Sequence, residues 1–463
     1  MNGYTGSVIN SGQIKGGIGL YLSGAAGSVT NSGTITGATA AIVFAGSGAN
    51  SLILRTGSVL NGNVIGSAAT GATNALVLTG SGSANCAFVN FNKLSFQTAG
   101  TWTLGGASTI GATTISTGVL AIAGGLTTAI SEGALATVTI GANAALTLNG
   151  ASTLSGTTKG AGTLAITAGA TTIASTAKFT VGAWSIEGAT ASATLGEALT
   201  YAGAFSAGSG AVITLSVGAL TLTGTAVFTG ATTAGSQALI DKAKTMVSGL
   251  TIGDAGGFTN LGSLTELWGN VTLGDAQGDA TLLTNAATGI WNIADDGGIA
   301  LGKSTTSSIS NLGLFEKTGA GVSAVAPAFA NGGNVLVSAG ALDFQAAVTG
   351  AGSDTIFSAA MLEFDSTVAS TQTIDFIGAG GVLDLGSPTG FAGALSGFDT
   401  VGSNDSVELL GSWSITGFST TSIQSTLILS SGAKTESLVF DGSYSKSGFH
   451  PLVGSGHTTI TYT

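Results

Sequence analysis

Short triplets in which two large apolar residues flank a small or polar one recur along the chain. Leu120-Ala121-Ile122, Leu146-Thr147-Leu148, Leu164-Ala165-Ile166 and Leu220-Thr221-Leu222 are examples. A period of two sends alternate side chains to opposite faces. Each triplet therefore predicts a short strand, with aliphatic residues inward and Thr, Ser, Ala or Asp outward. Gly, Asn and Ser bound the triplets and turn the chain. Helical periodicity is nearly missing. The one stretch with some, Gln237 to Val247, reads either as a helix or as strand, turn, strand.

The pattern repeats. Gly6-Ser7-Val8-Ile9-Asn10-Ser11-Gly12 returns as Gly27-Ser28-Val29-Thr30-Asn31-Ser32-Gly33. A third copy is read at Gly57-Ser58-Val59-Leu60-Asn61. Thr103-Leu104-Gly105-Gly106-Ala107-Ser108 matches Thr147-Leu148-Asn149-Gly150-Ala151-Ser152, a spacing read as two coils. Leu342-Asp343-Phe344 returns as Leu362-Glu363-Phe364 and again as Leu383-Asp384-Leu385. Strands recurring about every 20 residues predict an all-β fold, a right-handed parallel β-helix. One coil cannot bury its own apolar face, and stacking coils builds a continuous core. Asn10 and Asn31, one repeat apart, are expected to stack as an amide ladder, as side chains do in cross-β structures.

Composition removes several classes. Of 463 residues, 77 are Gly, 3 are Pro and only 7% are charged. The glycines lack a collagen period, and a disordered chain would need more charge and less apolar content. Mean hydropathy is +0.51, yet no apolar run reaches the roughly 18 residues of a spanning helix. Cys86 is the single cysteine, so no internal disulfide exists, and a small buried residue is expected there. Arg55 is the only arginine, and no Lys/Arg cluster suits nucleic acid. The net charge of −11 is uneven: nineteen of the twenty-two carboxylates fall after residue 240. Three segments follow. Residues 1–90 carry Asn-Ser-Gly coils, 91–240 a second set of coils, and 241–463 an acidic β-solenoid segment.

Phe91-Asn92-Lys93-Leu94, Gly100-Thr101-Trp102-Thr103-Leu104-Gly105-Gly106, Gly111-Ala112-Thr113-Thr114-Ile115 and Gly118-Val119-Leu120-Ala121-Ile122 resemble the passenger-associated repeat of bacterial autotransporter adhesins. Residues 6–65 resemble the pectin-lyase-like β-helical coils of the same proteins. Phe315-Glu316-Lys317-Thr318-Gly319, Leu342 to Gln345, Leu362 to Asp365 and Ser396-Gly397-Phe398-Asp399 resemble β-strand-repeat surface proteins of α-proteobacteria. The resemblance implies an extracellular or outer-membrane-attached β-solenoid. Met1 to Thr5 shows no basic or apolar leader, and the repeat starts by Gly6 without a lead-in. The chain is therefore expected to begin inside a longer one. The ending, His457 to Thr463, alternates but is too short for a translocator barrel.

Candidate chemistry is sparse. His450 and His457 lie seven residues apart without zinc partners, and are expected in a surface loop. Asp295-Asp296 before Gly297-Gly298 reads as a turn. Trp102, Trp184, Trp268, Trp291 and Trp413 are expected mostly as core or coil-end plugs. Glu363 and Asp365 share one strand face, and Leu362 and Phe364 take the core face, so the carboxylates point outward. Asp343, Glu363 and Asp384 occupy the same place in successive repeats. Stacked in register they form a column of like charge, which a sheet disfavours. The leading reading leaves these carboxylates in solvent, with no cofactor; a glycosidase pair at Glu363 and Asp365 is one alternative, and a divalent cation, Ca²⁺ first, bridging the column is another, because hard oxygen ligands suit it. No other cofactor is expected, and the RTX calcium repeat does not occur.

The leading expectation is a non-enzymatic, secreted or cell-surface β-solenoid: the passenger or stalk of a bacterial adhesin. Its Thr/Ser/Asn surface would bind polysaccharide or protein ligands of a host or environmental surface. A polysaccharide-processing enzyme on the same fold is the alternative. A third reading is a self-assembling surface or biofilm-matrix protein, with self-association through strand edges.

Overall fold

The structure, a computed structural model, describes residues 5–253, 255–398 and 404–463. Met1–Tyr4 at the N-terminus, and Asp399 of the Ser396–Asp399 motif, lie outside these residues. The chain is an all-β solenoid of parallel stacked coils of about 20 residues. It divides into two compact units, residues 1–218 and 219–463. No helix among the described residues is long and apolar enough to cross a membrane.

In the first unit, strand Gly6–Asn10 stacks in parallel on Gly27–Asn31, with Gly6 over Gly27 and Asn10 over Asn31. Below it the register continues through Ala49–Leu54, Thr73–Leu78 and Phe91–Phe96. Val29, Leu52, Leu76 and Leu94 form one fully buried column of that stack. Such columns are what period-two triplets produce when the coils are in phase. Farther along, Trp184 packs edge-on against Phe179 and Phe205, at centroid distances of 5.0 and 5.1 Å.

Two repeat assignments are corrected by the register. The third copy, Val59-Leu60-Asn61, does not lie beneath Val29–Asn31. It pairs with Thr34–Thr36, and Ser51–Leu54 lies beneath Ser28–Asn31. The Ser58 hydroxyl donates to the Asn31 carbonyl at the corner instead. Likewise Thr103 stacks on Ala121 and then Thr139, whereas Thr147 belongs to the stack of Thr127 and Ala165. Gly/Thr/Leu strings fit several faces of a coil equally well, so likeness in sequence does not fix phase.

In the second unit, Leu239–Asp241 and Lys244–Val247 are two strands joined by a turn, so the Gln237–Val247 stretch is not helical. One core column runs Leu264, Trp291, Phe315, Val335. A second runs Glu266, Ile293, Lys317, Val337. Ser406–Leu410 stacks in parallel on Val382–Leu385, and Lys434–Asp441 stacks in parallel on Ala394–Ser396, as the last parallel pairings. Beyond Leu410, Ser414–Thr420, Gln424–Ser431 and Lys434–Asp441 form an antiparallel meander. His457–Tyr462 pairs antiparallel with both Ser406–Leu410 and Phe449–Val453. Phe440, Tyr444 and Phe449 are buried in this closing layer. Pairing of this kind occupies the edge that a parallel stack would leave open.

Candidate functional site

The acidic repeat does stack. Asp343 lies over Glu363, Glu363 over Asp384, and Asp384 over Glu408, all in parallel register. Leu342, Leu362, Leu383 and Val407 are fully buried on one side of this column, and Phe344, Phe364, Leu385 and Leu409 on the other. The alternation therefore pins the carboxylates to one lane. The lane is less open than expected. Asp343 is only 9% exposed, Glu363 and Asp384 are half-buried, and Asp365 is exposed.

The three carboxylates that converge are not the three in the column. One oxygen from each of Asp343, Glu363 and Asp365 lies within 4.8 Å of the others. Asp365, just past the end of strand Met361–Phe364, takes the place expected for Asp384. Asp343 Oδ2 accepts from the Gln345 amide at 3.0 Å. Asp343 Oδ1 and Asp384 Oδ1 are buried with no hydrogen-bond partner. Burial raises the pKa of Glu363 to about 7, and Asp343, Asp384 and Asp365 push it the same way. Asp343 is raised by burial, with Asp365 adding to the shift and the Gln345 hydrogen bond opposing it. Asp384 is also raised by burial, with His457 opposing.

A second set of carboxyls lies inside the coils, where the sequence pattern placed none. Glu132, Asp241, Glu266 and Asp354 are at most 2% exposed. Period two explains them: Glu266 shares the inward face of Leu264, and Lys317 that of Phe315. Each acid has one partnered oxygen. Thr158 donates to Glu132 Oε2 at 3.0 Å, Ala243 N–H to Asp241 Oδ1 at 2.9 Å, Trp291 Nε1–H to Glu266 Oε2 at 3.3 Å, and Asn331 to Asp354 Oδ1 at 2.9 Å. The other oxygen of each is buried without a partner. Desolvation accordingly raises all four, Glu132 and Asp354 to about 7, Asp241 to about 6 and Glu266 to about 8. Lys317, fully buried, gives its ammonium protons to the carbonyls of Asp295 and Gly319 at 2.9 and 2.7 Å.

Two of these acids flank an amide ladder. Asn10 Nδ2 donates to Asn31 Oδ1 at 2.8 Å, as expected. A longer ladder, unforeseen, runs through Asn260, Asn285, Asn311 and Asn331, with steps of 2.9, 2.8 and 2.9 Å. In Asn260 and Asn331, Oδ1 also accepts the backbone N–H two residues on, the Asx geometry that turns the coil. Asp241 occupies the position one coil before Asn260. Asp354 accepts the last amide.

The remaining candidates resolve simply. Cys86 is buried, and burial pushes its thiol up to about 11, so it is unreactive. His450 and His457 sit on paired strands, not in a loop. His450 Nε2 meets Thr463 Oγ1 at 2.8 Å. Asp295 and Asp296 form an exposed bend. Trp102, Trp184, Trp291 and Trp413 are buried, and Trp268 is 62% exposed. A cavity of about 510 Å³ is lined by Ser67, Ala69, Asn74, Phe88, Asn90 and neighbours. Another, of about 560 Å³, lies beside Pro388, Trp413 and Lys434. Neither brings an acid and a base together on its wall.

No family model, curated protein or solved structure matches the chain.

Proposed function

We propose that this chain is a non-enzymatic scaffold, the passenger or stalk portion of a bacterial surface adhesin that displays repeated hydroxyl and amide lanes. The observation that carries the reading is the division of labour within each coil. Inward positions are packed aliphatic and aromatic columns closed by amide ladders. Outward positions repeat Thr, Ser and Ala, as where Thr103 stacks on Ala121 and Thr139, and Thr127 on Thr147. Such a surface offers many equivalent weak hydrogen-bonding sites, and multivalent display turns these into useful avidity. The cavity walls mix hydroxyl and amide side chains such as Ser67, Asn74 and Asn90 with small apolar ones and bring no acid and base together, which favours binding over turnover. The likeness of residues 91–122 to autotransporter repeats points to the cell surface.

Three measurements test this. Protease shaving of intact source cells should release the chain, and retention of it inside the cells would contradict the location. The purified chain should bind immobilised neutral polysaccharide without generating new reducing ends. Steady release of reducing ends would instead support the polysaccharide-processing alternative. Growth of assemblies with concentration in size-exclusion chromatography would support the matrix alternative.

A further inference from the structure

We propose that Asp343, Glu363 and Asp365 form a Ca²⁺ site on the acidic lane of the second unit. The geometry fits the ion. Ca²⁺ holds oxygens at about 2.3–2.6 Å, so two ligands of one ion lie at most about 5 Å apart. The three carboxylate oxygens meet that limit, at 4.8 Å or less from one another. The second observation is Asp343 itself. It is nine-tenths buried, its Oδ2 is held by Gln345, and its Oδ1 has no partner. An orphaned buried carboxylate oxygen costs stability unless a proton or a cation meets it. The charges that act on Glu363 are Asp343, Asp384 and Asp365, all acidic. No neighbouring lysine or arginine does this work.

The coordination is split by exposure. Asp343 and Glu363 are fixed by strand register, one coil apart, with their flanking leucines and phenylalanines in the core. Asp365 is exposed and closes the site from outside. Three carboxylates leave several positions of a six- to eight-coordinate ion to water. That arrangement belongs to the weak class, with Kd of roughly 10⁻⁴–10⁻³ M. It differs from a simple column of Asp343, Glu363 and Asp384, because the third ligand, Asp365, belongs to the same coil as Glu363 and follows it by two residues, just past the strand end.

The test uses the full chain at pH 7.5 and constant ionic strength. Thermal midpoints are compared in 5 mM CaCl₂ and in EDTA, for the wild type and for Asp365→Asn. Ligation predicts a calcium-dependent rise of roughly 2–8 °C in the wild type. Asp365→Asn removes one of the like charges around Glu363 and one ligand, so it should raise the EDTA midpoint slightly and lose the calcium-dependent rise. Identical wild-type midpoints in calcium and EDTA would overturn the site. So would a rise that survives in Asp365→Asn, or an equal rise with MgCl₂, which would mark general charge screening.

Discussion

Replacing Asp241 by Asn should stabilise the protein, and the gain should depend on pH. Asp241 is completely buried at the ladder position next to Asn260. Its Oδ1 already does what an asparagine Oδ1 does there, accepting the N–H of Ala243 at 2.9 Å. Its Oδ2 stands where the ladder asparagines carry a donating amide, and it has no partner. Burial lifts the folded-state pKa to about 6, against about 3.9 in an unfolded chain. Between those values the folded state binds the extra proton. Stability is therefore full below about pH 4 and is lost as pH rises through 6. A shift of about two units corresponds to about 3 kcal/mol at pH 8. An asparagine cannot ionise, and its amide can donate to Asn260 Oδ1, adding about 1 kcal/mol. Urea unfolding followed by tryptophan emission is a suitable assay, because Trp291 packs at 6.0 Å from Phe258, in the coil beside Asp241. The midpoint of Asp241→Asn should rise on the order of 1 M at pH 8 and about half as much at pH 4.5, where the hydrogen bond remains and most of the ionisation penalty is gone. An equal gain at both pH values, or a loss at pH 8, would refute the reasoning.

Further expectations follow from the same geometry. Asn285→Ala removes the ladder step to Asn311 and the bond to the Leu314 carbonyl. It should cost about 2–4 kcal/mol in denaturant unfolding, because buried amides lose partners. Trp291→Ala empties a fully buried site between Phe258 and Phe315 and should cost about 3–5 kcal/mol by the same measurement. Glu363→Gln should raise the calcium-free thermal midpoint at pH 8 and change it little at pH 5, because the like charges around Glu363 act only while it is ionised. Gly160 adopts φ +122°, and an added Cβ would meet the backbone of Ile140. Gly160→Ala should therefore lower the midpoint by an amount equivalent to about 1–3 kcal/mol.

The coil architecture was legible because period-two triplets bounded by glycine admit few other folds. The phase of the coils was legible only where the repeat carried charge or amide. Gly6 over Gly27 and Asp343 over Glu363 were read correctly; Gly57 and Thr103 were not, since small Thr/Gly/Leu strings carry no phase. The long asparagine ladder escaped notice because its steps vary in length along the chain. Its signal was present: Asn260, Asn311 and Asn331 each end a strand within two residues of a glycine, as Asn10 and Asn31 do. Buried Glu266, Lys317 and Asp354 were hidden by the rule that charges face water. In a narrow solenoid every second residue must turn inward, whatever its chemistry. Asp365 was recognised as an outward carboxylate, but its convergence with Asp343 needed coordinates, because it comes from just beyond the strand end.

The register of the acidic lane underlies the whole account, and paired cysteines test it directly. Glu363→Cys with Asp384→Cys places two thiols on facing residues of adjacent coils. Their Cα atoms would lie about 4.8 Å apart, within disulfide reach. Asp365→Cys with Asp384→Cys is displaced by two residues along the strand, to about 8 Å, beyond that reach. Under mild oxidation, intact-mass measurement should show an internal disulfide in the first pair and none in the second. Cross-linking of the second pair alone, or of neither, would contradict the stacked register and with it the site.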